Sequence, residues 1–182
     1  MSTFLRLTGL GTAAVWLGGT ALFIFGINPL FGGSTLVRLL GPLHAGETGI
    51  QATERFLLFQ AICAGAALIH LLADWLYTGR PVDRRLVIRL FLLLGLALLS
   101  KLWIVPKCRS LNTQAFLGPG RQILTQAQTP AQRQAERSLA VWSGLAVVLH
   151  VASLAGVTFY FVLQSSGNSP GPRLFTRAKL RI

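Results

Sequence analysis

His70, Asp74 and Arg89 are the side chains of this chain best placed for chemistry, because each lies inside or at the edge of a long apolar run. A polar group at membrane depth is costly and marks a functional position by default. His70 and Asp74 are four apart, which puts them on one helix face. Asp74 lies 6 residues before Arg80, and Arg89 lies 9 after it. A hairpin turning near residue 80 therefore brings Asp74 and Arg89 to similar depth, and an ion pair between them is expected. Such a pair would neutralise two charges and fix two helices against each other. If hydrated, the same cluster would line a proton or ion path in a small transporter.

His70 and His150 form the second set. Two imidazoles on different helices are the donor pair for haem or a shared metal. Counted from one membrane face, His150 falls about 6 residues away from the level of His70, or roughly 9 Å along the helix axis. That offset weakens a shared ligand, and two buried histidines bonded to polar neighbours is the simpler expectation. Haem is therefore kept as an alternative, with no cofactor and no metal site expected. Cys63 and Cys108 belong to different depths, about 15 Å apart at 1.5 Å per residue. A disulfide requires Cα atoms within about 7 Å, so two free thiols are expected. Met1 is the only methionine, and soft-metal transport needs thiolate or thioether ligands.

No C-x-x-C, H-E-x-x-H, G-x-S-x-G or phosphate-binding loop occurs in the sequence. Three histidines and five acidic residues leave little material for hydrolysis. Gly32-Gly33-Ser34 and Gly118-Pro119-Gly120 read as loop punctuation.

The elements that must position these residues are four apolar stretches, at about 8–31, 56–78, 85–106 and 138–164. Crossing a bilayer takes roughly 20 mostly apolar residues. No charge occurs for 31 residues between Arg6 and Arg38, nor for 35 between Arg137 and Arg173. Only 12% of residues are charged and the mean hydropathy is +0.58, against about 25% charged in soluble domains. Arg89 and Lys101 lie near the two ends of the third stretch, where long side chains snorkel to headgroups. The expected fold is all-α: one integral membrane bundle of four transmembrane helices over residues 1–164, followed by a basic flexible tail over 165–182. The first stretch reads as a retained helix, because it is longer than a signal-peptide core and no clear A-x-A site follows it.

The formal net charge is +12. The bases sit beside apolar spans, so the expected partners are membrane lipids, including anionic headgroups, and not nucleic acid. Arg80, Arg84, Arg85, Arg177, Lys179 and Arg181 are the candidates to face those headgroups. Nine Lys and Arg residues fall on the side of the termini and the 79–84 connection, and seven on the other. The short, dense connection carries most of that signal, which predicts both termini inside. In the longer connections, Ser34–Leu40 and Thr129–Arg137 are expected as short interfacial helices, the second running into the fourth span. The level count also pairs Glu54 with Lys107 and Gln60 with Lys101. Small residues in the spans (Gly11, Gly18, Gly19, Ala64, Gly65, Ala66, Ala67 and Gly144) are expected to let helices approach closely. Trp16 is expected inside the bundle, and Trp75, Trp103 and Trp142 toward span ends.

Several strings taken together resemble a known family. They are Ala14-Val15-Trp16-Leu17-Gly18-Gly19, Glu54-Arg55-Phe56, Pro106 followed by Arg109 and Leu111, and Glu136-Arg137 leading to Trp142-Ser143-Gly144. In order and spacing, over about residues 4–164, they are similar to the bacterial domain-of-unknown-function family 4149, also called transmembrane-protein-205-like. More distantly, the first span resembles the copper-resistance D membrane proteins. The resemblance implies a four-helix membrane protein of the bacterial inner membrane. That family's fourth span opens with Trp-His-Gly, where this chain has Ser143 in place of the histidine, so no ligand role carries over to that position. The expected function is that of a non-enzymatic structural or accessory subunit, as a homo-oligomer or in a larger membrane complex. Haem or metal binding, or transport through His70, Asp74 and Arg89, are the alternatives.

Overall fold

A computed structural model describes residues 2–32, 34–79, 84–116 and 129–166. The described residues form four long helices and no strand. Helix α1 runs over Ser2–Ala21, widens into a π turn at Leu22–Ile27 and continues through Asn28–Gly32. Helix α2 is Ser34–Thr78, broken at Gly41. Helix α3 is Arg84–Leu99, a π turn at Ser100–Ile104, and Val105–Phe116. Helix α4 is Pro130–Ser166. All four are long and apolar enough to cross a membrane. The neighbours run antiparallel in sequence order, up-down-up-down, as contacts between α1 and α2 illustrate: Gly9 meets His70, Gly19 meets Phe59, and Phe31 meets Gly49.

Local sequence explains the breaks. Gly41 has φ 77° and ψ 159°. A residue before proline is disfavoured in the helical region, and only glycine takes this positive φ without a Cβ penalty. Gly41-Pro42 thus interrupts the helix and separates a short segment, 34–40, from the long one, 42–78. Gly79, at φ 62°, closes the other end, its N–H donating to the Trp75 carbonyl at 3.0 Å. Thr129 and Gln132 form a reciprocal capping box at the start of α4: the Thr129 N–H donates to Gln132 Oε1 at 2.9 Å, and the Gln132 N–H to Thr129 Oγ1 at 3.3 Å. Pro130 takes the first helical position, where its missing N–H costs nothing.

Both π turns end two residues before a proline, at Pro29 and Pro106. A proline ring inside a helix clashes with the carbonyl four residues earlier and removes one hydrogen bond. The widened turn moves those carbonyls: the N–H of Asn28 bonds to the Phe23 carbonyl, and that of Val105 to the Ser100 carbonyl. Phe23 and Ile24, in the first π turn, and Ile104 and Val105, at the end of the second, are buried.

The helices extend further than the apolar runs alone imply. The segment 42–78 and the 37 residues of α4 are each about 55 Å long, against a hydrocarbon core of about 30 Å. Ser34–Leu40 is helical and is divided from 42–78 by the non-helical Gly41, and the helix that Thr129 caps runs from Pro130 straight into the fourth apolar stretch, as expected. Residues 42–55 and 105–116 find helical partners in each other. Asn112 Nδ2 donates to the Leu43 carbonyl at 3.2 Å, and Arg109 meets Glu54 at 3.0 Å. Leu111, Ala115 and Ala135, with Trp142 against them, add an apolar contact between α3 and α4.

The main core joins Ala13, Trp16, Cys63, Ala64, Ala67, Leu90, Leu93, Val157 and Tyr160. Small residues on α2 leave room for Trp16, whose ring lies 6.0 Å from that of Tyr160. Outward, large apolar side chains are exposed on every helix, including Phe25, Ile69, Phe91, Leu102 and Val148. Trp75 and Trp103 are exposed among them. Arg80, Gly118-Pro119-Gly120 and the tail with Arg177, Lys179 and Arg181 lie outside the described residues, and so does the side chain of Arg85. Arg84 is exposed at the start of α3.

Candidate functional site

The expected cluster of His70, Asp74 and Arg89 does not close into an Asp74–Arg89 ion pair. Leu90 and Leu93, immediately after Arg89, share the core with Cys63, Ala64 and Ala67. This register puts Arg89 level with the 64–67 turn, and Asp74 lies 7 residues beyond Ala67, or about 10 Å. Counting outward from the loop misses this offset because side-chain packing, not the midpoint of the connection, fixes how α2 and α3 slide. The Arg89 guanidinium carbon instead lies 4.3 Å from the Phe159 ring centroid, a cation–π contact. Neither His70 nor Asp74 is without a partner. The His70 ring and the Gln164 amide occupy the space that a side chain on Gly9 would fill, which draws α1, α2 and α4 together at this end.

His70 and His150 do not meet. His70 lies against Gln164, and His150 is 14 residues earlier on the same α4, a separation of about 21 Å along the axis. The roughly 9 Å expected from the sequence is too small, because Phe56 stands against His150 and His70 lies 14 residues beyond Phe56 on α2. Cys63 and Cys108 are both buried free thiols. Among the described residues, no three His, Cys, Asp or Glu side chains gather as metal ligands.

What the bundle does build is a buried polar cluster around His150. Four elements position it. The π turn of α1 supplies Phe23, which stacks on Phe56 of α2 at 3.9 Å between centroids and 4° between planes. The imidazole stands perpendicular to both rings, at 5.6 Å and 5.3 Å. Such edge-to-face geometry matches a ring's positive edge to a neighbour's negative face. On the other side lie Gln60 of α2, Ser153 one turn along α4, and Ser100 in the π turn of α3. Gln60, Ser100, His150 and Ser153 are each at most 5% exposed. Ser153 Oγ donates to Gln60 Oε1 at 3.1 Å. Gln60 Nε2 and His150 Nδ1 are buried without a hydrogen-bond partner. Leu57, Leu96, Ala97 and Leu149 close the rest of the cleft and leave no room for a water molecule.

Thus Gln60 faces Ser153 and not Lys101, which is exposed, and Glu54 pairs with Arg109 and not Lys107. The cluster offers hydrogen-bond donors and acceptors but no carboxylate. The Ser153–Gln60 bond ties α4 to α2. His150 and Gln60 were legible singly as intramembrane polar residues. Their meeting with Ser153 and Ser100 was missed. The available signals were the i, i+3 spacing of His150 and Ser153 and the prolines that follow the two π turns.

Small residues divide into two groups. A Cβ on Gly19 would lie 2.5 Å from the Phe59 ring, so Gly19 is a close-approach position, and Ala64 and Ala67 are buried. Gly11, Gly18, Gly65 and Gly144 instead have no side-chain or neighbouring atom within 4 Å of such a Cβ. They do not serve packing within the bundle. No family model, curated protein or solved structure matches the chain.

Proposed function

We propose that this chain is an integral membrane protein of the bacterial inner membrane, with both termini inside, that acts without catalysis as a structural or accessory component of a membrane assembly. The carrying observation is the pairing of a side-chain-filled, hydrogen-bonded interior with an apolar outward surface on all four helices. Lipid tails match such a surface, which water does not. The Lys and Arg bias supports the orientation. Gly11 and Gly18, two turns apart and open on α1, leave a flat strip on which another helix can approach closely. A second copy or a larger complex would supply that helix.

The test is the mass of the protein held in discs of native lipid. A species heavier than the monomer, reduced by Gly11→Leu with Gly18→Leu, is expected. A monomer at all concentrations, carrying no other protein, would overturn the assembly role.

A further inference from the structure

Between α1 and α2, on the outward side of the Phe23–Phe56 stack, lies an open groove of about 300 Å³. Phe23, Phe56 and Phe59 form its walls, Gly19 lies at one end, and Ala52 and Arg55 lie at the other. Nearly all of its surface is apolar. From Ala52 to Phe59 it follows about 10 Å of helix. Its position is determined by the α1–α2 register: Phe59 lies over Gly19, so the ring tips against α1 and leaves space beside it.

The guanidinium at its end makes the groove more than an apolar face. Arg55 directly precedes the uncharged run Phe56–Ala73, so it stands where the apolar surface of α2 begins. Its neighbour Glu54 is committed to Arg109 at 3.0 Å. Among the described residues, Arg55 joins no ion pair. An exposed cation at the end of an apolar trough is complementary to an anion carrying a hydrocarbon chain. Arginine binds phosphate through two parallel N–H groups, and basic pockets between membrane helices hold anionic headgroups.

We propose that this groove is a binding site for an anionic phospholipid, with the phosphate on Arg55 and one acyl chain lying along Phe59, Phe56 and Phe23. The site rests on reading the four helices as membrane spans. The bound chain lies on one face of the phenylalanine stack whose other neighbour is His150, so occupancy presses on the buried polar cluster.

Native mass spectrometry of the full chain, released from detergent after titration with phosphatidylglycerol or phosphatidylcholine, tests this. The wild type should retain phosphatidylglycerol roughly tenfold better, the scale of one charge-assisted contact. Arg55→Gln should lose the preference while keeping the weaker phosphatidylcholine binding, Arg55→Lys should keep part of it, and Ala52→Phe should reduce both lipids. Circular dichroism confirms that each variant is folded. Equal lipid preference in wild type and Arg55→Gln would overturn the site, as would Ala52→Phe binding both lipids normally. So would loss of a dimer in Ala52→Phe without change in lipid binding, since the groove would then seat a second copy. Alkaline carbonate extraction separates the two failures. Protein released into the supernatant refutes the membrane reading itself, whereas protein retained in the pellet without lipid preference refutes only the groove.

Discussion

Replacing Gln60 by leucine should leave the bundle as stable as before or more so, although it deletes an interhelical hydrogen bond. The bond from Ser153 to Gln60 Oε1, at 3.1 Å, is worth about 0.6 kcal/mol on the average for membrane bundles, and about 1.7 at most. The same amide buries Nε2 without a partner, a state that costs about 1–3 kcal/mol. Leucine has similar volume and removes both terms. The Ser153 hydroxyl can then turn back to a carbonyl on its own helix, as Thr20 does to Trp16 at 2.7 Å and Thr158 to Leu154 at 2.8 Å. With the average bond the difference leaves Gln60→Leu between about neutral and about 2 kcal/mol more stable than wild type. Ser153→Ala differs: it strands Gln60 Oε1 beside the already unpartnered Nε2 and should destabilise by about 1–2 kcal/mol. Unfolding in mixed micelles with increasing denaturing detergent, followed by fluorescence of the tryptophans, measures both variants and the double mutant. A loss above about 2 kcal/mol for Gln60→Leu would refute the reasoning, because Nε2 would then have to be satisfied.

Three further outcomes follow from the same geometry. Gly46→Val places a side chain where Asn112 Oδ1 lies; it should displace the bond to the Leu43 carbonyl and lower stability by about 1–3 kcal/mol in the same assay. A double-mutant cycle on Glu54 and Arg109, which are 33% and 49% exposed, should give a coupling below about 1 kcal/mol that shrinks with added salt. A cycle on Arg89→Gln and Phe159→Leu should give about 0.5–1 kcal/mol, since Phe159 is 48% exposed; zero coupling would remove the cation–π contact.

Four long apolar helices, their order and the Thr129 cap were legible because each rests on local signals: charge-free length, Gly-Pro breaks, and Thr-Pro at a helix start. Trp16 was also placed correctly inside the bundle, where it is 1% exposed. Relative depth was not legible. Counting from loop midpoints put Asp74 beside Arg89 and Glu54 beside Lys107, whereas Leu90 and Leu93 pack on Cys63, Ala64 and Ala67 and set a different slide of α3 on α2. A slip of one turn moves every predicted pair by about 5 Å. The π turns add to the error, because each inserted residue rotates the face that follows it. The polar cluster was hidden for the same reason: Gln60, Ser100, His150 and Ser153 come from three helices, and no local pattern joins them.

The claim under all of this is that four helices cross one membrane with the 79–84 connection on the opposite side from residues 42–55 and 129–137. Single cysteines introduced at Thr48, Arg84, Gln132 and Ser165, in a chain with Cys63 and Cys108 replaced by alanine, measure it in intact cells with an impermeant maleimide. Thr48 and Gln132 should label from outside, and Arg84 and Ser165 only after the membrane is opened. Labelling of Thr48 and Arg84 from the same side would contradict the four-span bundle.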